Sequence, residues 1–293
     1  MSSGSVLLLG LWAAATLAAA GIAQATHVAL EAKYASRLHE MSQAWFLAFE
    51  GVKVASARLT TPDARTDDPK SDAPKESWGQ VPKDPIPFDT GTIRYRIADE
   101  QGLIPVNAAP ATVLNRLPGF SQPVSDELIG RRNEGALVAH PAELPALSGF
   151  RPEAVSELNS VATVYGTGPV NINTASAEVL SKLGFSSLFT GQLLQYRMGL
   201  DGFPGTPDDG VFTEVTQSAI EAALKGFFGQ AFVMPEEDKK AVNDLSALQP
   251  PLLGVKSSFF RVEVEARTAA HGLRKNVTAI VDAGGKIRGW YEK

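Results

Sequence analysis

The sequence predicts an α+β fold in which a long N-terminal helix carries an antiparallel sheet interrupted by a large helical insertion. Three observations support this prediction. An apolar N-terminal segment runs directly into an amphipathic helical pattern, a short helical segment occurs twice in the middle of the chain, and the end of the chain alternates in polarity as strands do. The predicted divisions are a leader (1–4), a helix (5–60), a Pro/Asp-rich linker or loop (61–90), a first strand (91–100), an inserted helical domain (101–250) and C-terminal antiparallel strands (251–293).

Residues 1–30 contain no Asp, Glu, Lys or Arg, and residues 6–23 form an almost uninterrupted apolar run. A run of this length approaches the roughly 20 residues that cross a bilayer as a helix. Three interpretations are open. The run is a signal peptide cleaved near Ala25, although the positively charged start of such a peptide is missing; or it is a transmembrane anchor; or it becomes the new N-terminus after a short leader ending at Gly4 is removed.

The helical pattern continues beyond the apolar run. Residues 29–59 contain no Pro and a single Gly, and apolar side chains recur every three or four residues. One long helix, half in lipid and half amphipathic, is the simplest interpretation, with its end near Thr60 and Pro62. Two abutting helices are the alternative. A signal peptide followed by a separate domain gives no reason for this continuity.

The composition excludes several classes of function. The net charge of −5 argues against nonspecific nucleic-acid binding by the whole chain, which requires a surplus of Lys and Arg. The absence of cysteine removes disulfides, thiolate nucleophiles and zinc–cysteine sites. The four histidines lie in different contexts, with no nearby partner for a nucleophile and base. We therefore predict no catalytic residue and expect the chain not to be an enzyme.

The proline- and aspartate-rich residues 61–90 are predicted to be a linker or surface loop, because they offer too little apolar surface to offset the entropy of ordering. Order resumes at residues 92–97, where Ile93, Tyr95 and Ile97 alternate with arginines as in a half-buried strand.

The strongest strand pattern in the sequence lies near its end. Alternation and turn residues predict three C-terminal strands at residues 258–267, 276–281 and 286–291. They form an antiparallel meander that the strand at 92–97 can join. The helical region between would then be an insertion into a small sheet domain.

A helical segment at residues 106–119 recurs at residues 172–184, with Asn107 and Asn173 in equivalent positions. Their offset of 66 residues (173 − 107) indicates an internal duplication of a small helical unit. Asparagine favours helix N-caps, so we predict that each of these two residues caps the helix that follows it.

Such units resemble the helix-hairpin-helix motif, whose glycine-rich hairpin offers backbone N–H groups to a nucleic-acid phosphate. The hairpins here begin at Gly119 and Gly184, each followed by Phe-Ser and lacking a second Gly. No Lys or Arg follows either hairpin until Arg131 or Arg197. A compact helical domain is the favoured interpretation, and DNA binding is the alternative.

A glycine- and proline-rich stretch at residues 199–210 contains three aspartates and is followed by Glu214. Asp201, Asp208, Asp209 and Glu214 are candidate ligands for a hard cation such as calcium, because carboxylates among glycines leave backbone carbonyls free to complete an oxygen shell. The spacing is not that of an EF-hand. Since Asp and Gly also favour ordinary turns, a turn without metal is the alternative.

Several segments together carry a resemblance to a known family. They are the apolar N-terminus, the long helix, and residues 97–107 (Ile-Ala-Asp-Glu-Gln-Gly-Leu-Ile-Pro-Val-Asn), 170–180 (Val-Asn-Ile-Asn-Thr-Ala-Ser-Ala-Glu-Val-Leu) and 258–262 (Ser-Phe-Phe-Arg-Val). In this order they resemble the minor pseudopilin K family of type II secretion systems, over nearly the whole chain. Helix-hairpin-helix proteins of DNA uptake share the stretch that begins at Val170, but they differ in the C-terminal sheet and the long N-terminal helix.

The resemblance implies cleavage by prepilin peptidase after Gly4, with Ser5 as the new N-terminus. Most pilins and pseudopilins carry Glu at the fifth position of the mature chain, where it pairs with a neighbour's terminal amine. K subunits characteristically lack it, and Leu9 occupies that position here. The resemblance also implies a pseudopilin-type sheet with an inserted helix-hairpin-helix or SAM-like domain that binds calcium.

The implied function is that of a minor pseudopilin at the tip of the type II secretion pseudopilus. It would assemble with I- and J-type minor pseudopilins and support initiation of assembly and protein export. The expected location is the bacterial inner membrane, spanned once, with the C-terminal domain in the periplasm and no nucleic-acid partner. The alternative is a membrane-anchored helix-hairpin-helix DNA-binding protein of DNA uptake.

Overall fold

The computed structural model describes residues 3–60 and 71–292. Met1 and Ser2 of the predicted leader and the first ten residues of the predicted linker lie outside the described residues. Helix α1 spans Ser3–Thr60 without a break, as the continuous pattern predicts. At about 1.5 Å per residue it is roughly 87 Å long. Its side chains are largely exposed before Ala44 and are mostly buried on one face from there onward.

The described chain contains nine strands. They are β1 (Ile86–Phe88), β2 (Gly91–Asp99), β3 (Ile104–Pro105), β4 (Ala162–Thr163), β5 (Val170–Asn171), β6 (Leu253–Gly254), β7 (Phe259–Thr268), β8 (Arg274–Asp282) and β9 (Ile287–Glu292). Five of them form one antiparallel sheet in the order β1-β2-β7-β8-β9. The strand predicted at 92–97 therefore does join the C-terminal meander, beside β7.

Strand alternation gives the sheet one apolar and one polar face. Ile97 pairs with Val262, and Val262 pairs with Ala279, so that all three side chains lie on the same face, beneath α1. The helix approaches this face closely at Gly51, where a β-carbon would lie 2.6 Å from Val264 Cγ1. A glycine at this position lets α1 pack directly on the sheet.

An aromatic group ties α1 to the edge strand β9. Trp45 stacks on Phe49 with ring centroids 5.6 Å apart, and both rings pack against Trp290 at 6.1 and 6.0 Å. Glu292 accepts a hydrogen bond from the indole N–H of each tryptophan. These contacts fix the helix where it enters the domain.

The segment predicted as a linker needs a correction over its second half. Residues 71–80, which we call the strap, contain the buried side chains of Asp72 and Trp78. Trp78 packs edge-on against Phe260 of β7, with ring centroids 5.1 Å apart. Strand β1 then pairs with β2. Composition alone concealed this order, because one tryptophan and a few hydrogen-bonded polar groups supply the packing that the surrounding prolines and aspartates do not.

The insertion between β2 and β7 holds seven short helices among the described residues. They are α2 (Ala111–Leu114), α3 (Gln122–Asn133), α4 (Val155–Leu158), α5 (Ala177–Leu183), α6 (Ser187–Arg197), α7 (Gln217–Phe228) and α8 (Glu236–Ser246). Buried residues of these helices share one hydrophobic core, distinct from the core beneath α1.

The duplication extends beyond the repeated helices. In the first unit, residues 104–164, β3 pairs in parallel with β4, and in the second, residues 170–255, β5 pairs in parallel with β6. Each unit therefore closes by bringing its last residues back beside its first.

Asn107 and Asn173 have the same role in the two units, and it differs from the predicted one. Asn107 donates to the Val138 carbonyl and accepts from the Val138 N–H, at 2.8 and 3.0 Å. Asn173 makes the same pair of bonds with Phe212, at 2.9 and 2.8 Å. The N-caps are instead Pro110 for α2 and Ser176 for α5. The prediction of two Asn caps is therefore wrong, because buried peptide groups of a later segment compete for the amides.

Candidate functional site

The carboxylate loop, residues 199–210, is an addition specific to the second unit. Asn107 and Asn173 each clamp a later segment of their own unit. Asn107 lies 31 residues before its partner Val138, and Asn173 lies 39 residues before its partner Phe212. The difference of eight residues falls between α6 and Phe212, where the loop lies. Because Asn107 makes the same pair of bonds across a shorter segment, the extra length is not needed to form this pair of bonds. This makes the carboxylate loop a candidate functional site.

The loop brings three of the four predicted ligands together. Asp201, Asp208 and Asp209 each offer a carboxylate oxygen, and these oxygens lie within 4.8 Å of one another. Asp201 and Asp208 are exposed, while Asp209 is only 7% exposed. Glu214 is exposed and is not a member of this group.

Backbone and side-chain donors hold the carboxylates in place. Asp208 accepts from the Thr206 hydroxyl at 2.7 Å and from the Leu200 N–H at 2.7 Å, and these bonds lower its pKa to about 2. Asp209 accepts from the Gly205 N–H at 2.7 Å. Gly199 has φ of +65°, and a β-carbon there would lie 2.4 Å from an Asp208 oxygen. The loop therefore needs glycine at this point to wrap around Asp208.

One partly buried cation, Arg197, lies near this cluster. Burial lowers the pKa of Arg197 to about 10, and Asp209 opposes that shift. The Arg197 guanidinium also donates to the Ala175 carbonyl at 2.5 Å. It partly offsets the mutual repulsion of the three carboxylates, which for one pair at 4 Å amounts to about 1 kcal/mol in water and about 4 kcal/mol near a protein surface.

The donor set fits calcium. Oxygens that share one calcium ion lie about 2.3–2.6 Å from it, so that any two of them are at most about 5 Å apart. The 4.8 Å grouping of Asp201, Asp208 and Asp209 meets this limit. Three hard carboxylates without nitrogen or sulfur donors suit calcium better than zinc or copper.

The predicted cleavage site lies at the N-terminal end of α1. Gly4 is exposed and Ser5 is helical, although the Ser5 side chain lies outside the described residues. Leu9 is 64% exposed, with no carboxylate at its position. Among the described residues, the helical stretch Leu7–Thr60 is long and apolar enough to cross a membrane, and none of its most apolar window is buried in the protein.

Both hairpins that resemble the helix-hairpin-helix motif are covered within the chain. At the second hairpin, the N–H and hydroxyl of Ser186 donate to the buried Asp238 carboxylate at 2.8 and 2.6 Å. At the first, a β-carbon on Gly119 would meet the Phe150 ring at 2.8 Å. A protein carboxylate and a phenyl ring thus occupy the places where a phosphate would approach, which disfavours DNA binding there.

A polar junction at the end of β2 is not marked by any sequence pattern described above. The Asp99 carboxylate accepts from Asn171 at 2.9 Å, Thr174 at 2.5 Å, Ser257 at 2.6 Å and the Gln101 N–H at 2.8 Å. Burial raises the pKa of Asp99 to about 6, although these four hydrogen bonds act in the opposite direction.

Glu100 forms the other half of this junction. It is 2% exposed, pairs with Arg261 of β7 at 2.9 and 3.1 Å, and accepts from Thr163 of the first unit at 2.6 Å. In the sequence Asp99 and Glu100 lie at the end of the predicted first strand, and the side-chain partners of Glu100 lie 63 and 161 residues away. No local pattern marks such a site.

No family model and no curated protein matches the chain. A chain of the GspK-GspI-GspJ complex from the type 2 secretion system of enterotoxigenic Escherichia coli is similar in structure, with a TM-score of 0.60 and 13% sequence identity. The alignment covers 89% of the present chain and 99% of that chain. At this identity the likeness establishes the fold, which is pseudopilin-like, and confirms the predicted fold class.

Proposed function

We propose that this chain is a minor pseudopilin of a type II secretion system, which occupies the tip of the pseudopilus and supports initiation of its assembly and protein export. The observation that carries the proposal is a pseudopilin-like fold with a large insertion between β2 and β7. A domain of this size on one side of the sheet does not fit along a closely packed shaft. The tip is the position that accommodates it.

Two features of α1 support the same role. Its N-terminal part is exposed and apolar, as a helix retained in the inner membrane requires. At Leu9 it lacks the carboxylate that would bind the amine of a neighbouring subunit. A subunit without that charge suits a filament end, with the sheet and insertion in the periplasm.

Cleavage after Gly4 tests the assignment. Full-length protein is coexpressed in a bacterial membrane with prepilin peptidase, and the N-terminus is determined by mass spectrometry. We expect loss of residues 1–4, and no cleavage of a Gly4→Val control. A chain that remains uncut, or a Gly4→Val variant processed like the wild type, would overturn the proposal.

The proposed partners are I- and J-type minor pseudopilins. The similar structure is a complex of GspK with GspI and GspJ, which motivates the expectation for the present chain. Affinity-tagged chain, solubilised with coexpressed I- and J-type subunits, should retain both through gel filtration. A major pseudopilin serves as the matched control. Equal recovery of the major pseudopilin would contradict a specific tip complex.

We further propose that Asp201, Asp208 and Asp209 bind calcium. When bound, the ion would supply positive charge that removes the repulsion among the three carboxylates. Calcium at 100 times its Kd should stabilise the fold by about 2.7 kcal/mol, which raises Tm by roughly 5–10 °C. Asp201→Asn with Asp208→Asn should abolish the shift, and Glu214→Gln, outside the group, should retain it.

The duplication provides a sharper control. Replacing residues 200–211 by residues 134–137 of the first unit removes the three aspartates and shortens the separation of Asn173 and Phe212 from 39 to 31 residues (39 − 12 + 4), the separation found in the first unit. We expect this graft to fold and to show no calcium-dependent shift in Tm. A graft that still responds to calcium would exclude the loop as the binding site.

A further inference from the structure

The carboxylate loop contacts the strap through two hydrogen bonds. Gln80 Nε2 donates to the Gly205 carbonyl at 2.9 Å, and Lys75 Nζ donates to the Asp209 carbonyl at 3.3 Å. Gly205 is also the residue whose N–H holds the Asp209 carboxylate. Gly205 thus binds the Asp209 carboxylate through its N–H and the strap through its carbonyl. Asp209 belongs to the carboxylate group through its side chain and binds the strap through its carbonyl.

These two hydrogen bonds lie beside an open cleft. The cleft has a volume of about 790 Å³, and its walls include Lys75 and Gln80 of the strap as well as Gly205 and Asp209 of the loop. The two bonds join the loop to this part of the strap, whereas Asp72 at the other end of the strap is bonded to Val255 and Asn171 of the second unit. A change in the positions of the Gly205 and Asp209 carbonyls would therefore alter or break the hydrogen bonds from Gln80 and Lys75 of the strap.

From the loop, the strap leads directly to the sheet. At one end Asp72 accepts from the Ser257 N–H at 2.7 Å, just before β7. In its middle, Trp78 is buried against Phe260. The strap is thus the described segment that joins the carboxylate loop to the core beneath α1.

We propose that calcium bound by the loop fastens the strap, and so couples the second unit to the sheet. This inference rests on the proposed calcium site. Without the ion, repulsion among the three carboxylates loosens the loop and its two carbonyl acceptors. With a divalent ion the group changes from −3 to −1 (−3 + 2), so its attraction for the Lys75 ammonium is reduced but keeps its sign. Gln80, being neutral, carries the stronger part of the coupling.

Hydrogen exchange of the full-length chain in detergent micelles, with and without calcium, tests the proposal. If opening the strap required complete release of the ion, calcium at 100 times its Kd would slow exchange of the strap amides by about 100-fold. We expect about tenfold slowing in peptides covering residues 71–80. Peptides from α3 of the first unit should be unchanged.

Gln80→Ala separates coupling from binding. This variant should bind calcium with wild-type affinity in a calorimetric titration, but lose most of the slowing in residues 71–80. Gln43→Ala, on α1 and outside both the loop and the strap, is the matched control. Calcium that binds and slows exchange only in residues 199–210 overturns the coupling and leaves the calcium site standing. If calcium does not bind, the site and the coupling both fall.

Discussion

Asp99 and Glu100 are adjacent in the chain, yet their carboxylates hold different halves of the insertion. Asp99 accepts from Asn171 and Thr174 of the second unit, whereas Glu100 accepts from Thr163 of the first. Each also contacts the region of β7, through Ser257 and Arg261. Two consecutive residues therefore set the position of both units against the sheet.

The Asp99 junction should make the protein more stable as the pH falls from 7 towards 4. The folded-state pKa is raised from 3.8 to about 6. Between those values the native state binds more protons than the unfolded state, so the free energy of unfolding rises as the pH falls. Two pKa units correspond to roughly 3 kcal/mol, and we expect about 1–3 kcal/mol from urea unfolding.

An Asp99→Asn variant should lose this dependence on pH, whereas Asp84→Asn, on the exposed surface, should keep it. The pKa values of Asp208 and Glu292 are lowered to about 2. The stabilising contributions of Asp208 and Glu292 are present above about pH 4 to 4.5 and are lost only as the pH falls towards 2. The pH range in which they act therefore lies below the range from about 4 to 6 in which Asp99 acts. Equal pH profiles for the wild type and Asp99→Asn would contradict the role of Asp99.

Removing only one charge of the Glu100–Arg261 ion pair should lower the free energy of unfolding substantially. Glu100→Ala leaves a largely buried guanidinium without its partner, which we expect to cost about 3 kcal/mol of unfolding free energy. The double change Glu100→Leu with Arg261→Leu should cost less than the sum of the single changes, because no uncompensated charge remains. A double-mutant cycle measured by chemical denaturation gives the coupling. A coupling energy near zero would show that the pair does not act as a unit.

Replacing Gly51 by alanine should lower or raise the stability of the protein depending on the size of the side chain at position 264. Alanine favours helices by about 1 kcal/mol over glycine, but its β-carbon would lie 2.6 Å from Val264 Cγ1. We expect Gly51→Ala to destabilise the wild type by about 1–2 kcal/mol. In a Val264→Ala background the same change should stabilise. Thermal unfolding of the four proteins measures both effects, and destabilisation in both backgrounds would contradict the close approach.

Both clamping asparagines should be sensitive to truncation, Asn107 the more so because it also donates to the Val164 carbonyl at 2.8 Å. Asn107→Ala and Asn173→Ala each leave a buried N–H and at least one buried carbonyl without a partner, at an expected cost of about 2–4 kcal/mol each. Asn159→Ala, on the surface, is the matched control and should change stability by less than about 0.5 kcal/mol. A cost at Asn107 or Asn173 no larger than that of the control would contradict the role of that residue as a clamp.

The sequence was informative where the signal is local. Helix α1, strands β7 to β9 and the duplication are all marked by periodicity or by repeated letters, and the structure contains each of them. The grouping of Asp201, Asp208 and Asp209 could also be predicted, because the three residues lie within one short loop.

What the sequence missed depends on partners far along the chain. Asn107 and Asn173 follow the letter pattern of a helix cap, but their partners lie 31 and 39 residues later. Trp78 is isolated among prolines and charges, so that only the tertiary contact with Phe260 explains its burial. Glu214 is close to the aspartates in sequence, but α7 begins at Gln217 and the chain leaves the loop before it.

The register of β2 with β7 has a mechanical consequence. Asp99 pairs with Phe260, so that the chain leaves the sheet and returns to it on neighbouring strands at the same end. Topologically, the whole insertion replaces the turn of a hairpin. Tension applied along α1 would pass through the helix into the sheet beneath it and reach the insertion only through its side contacts. Displacement of the insertion would therefore leave the contact between α1 and the sheet in place.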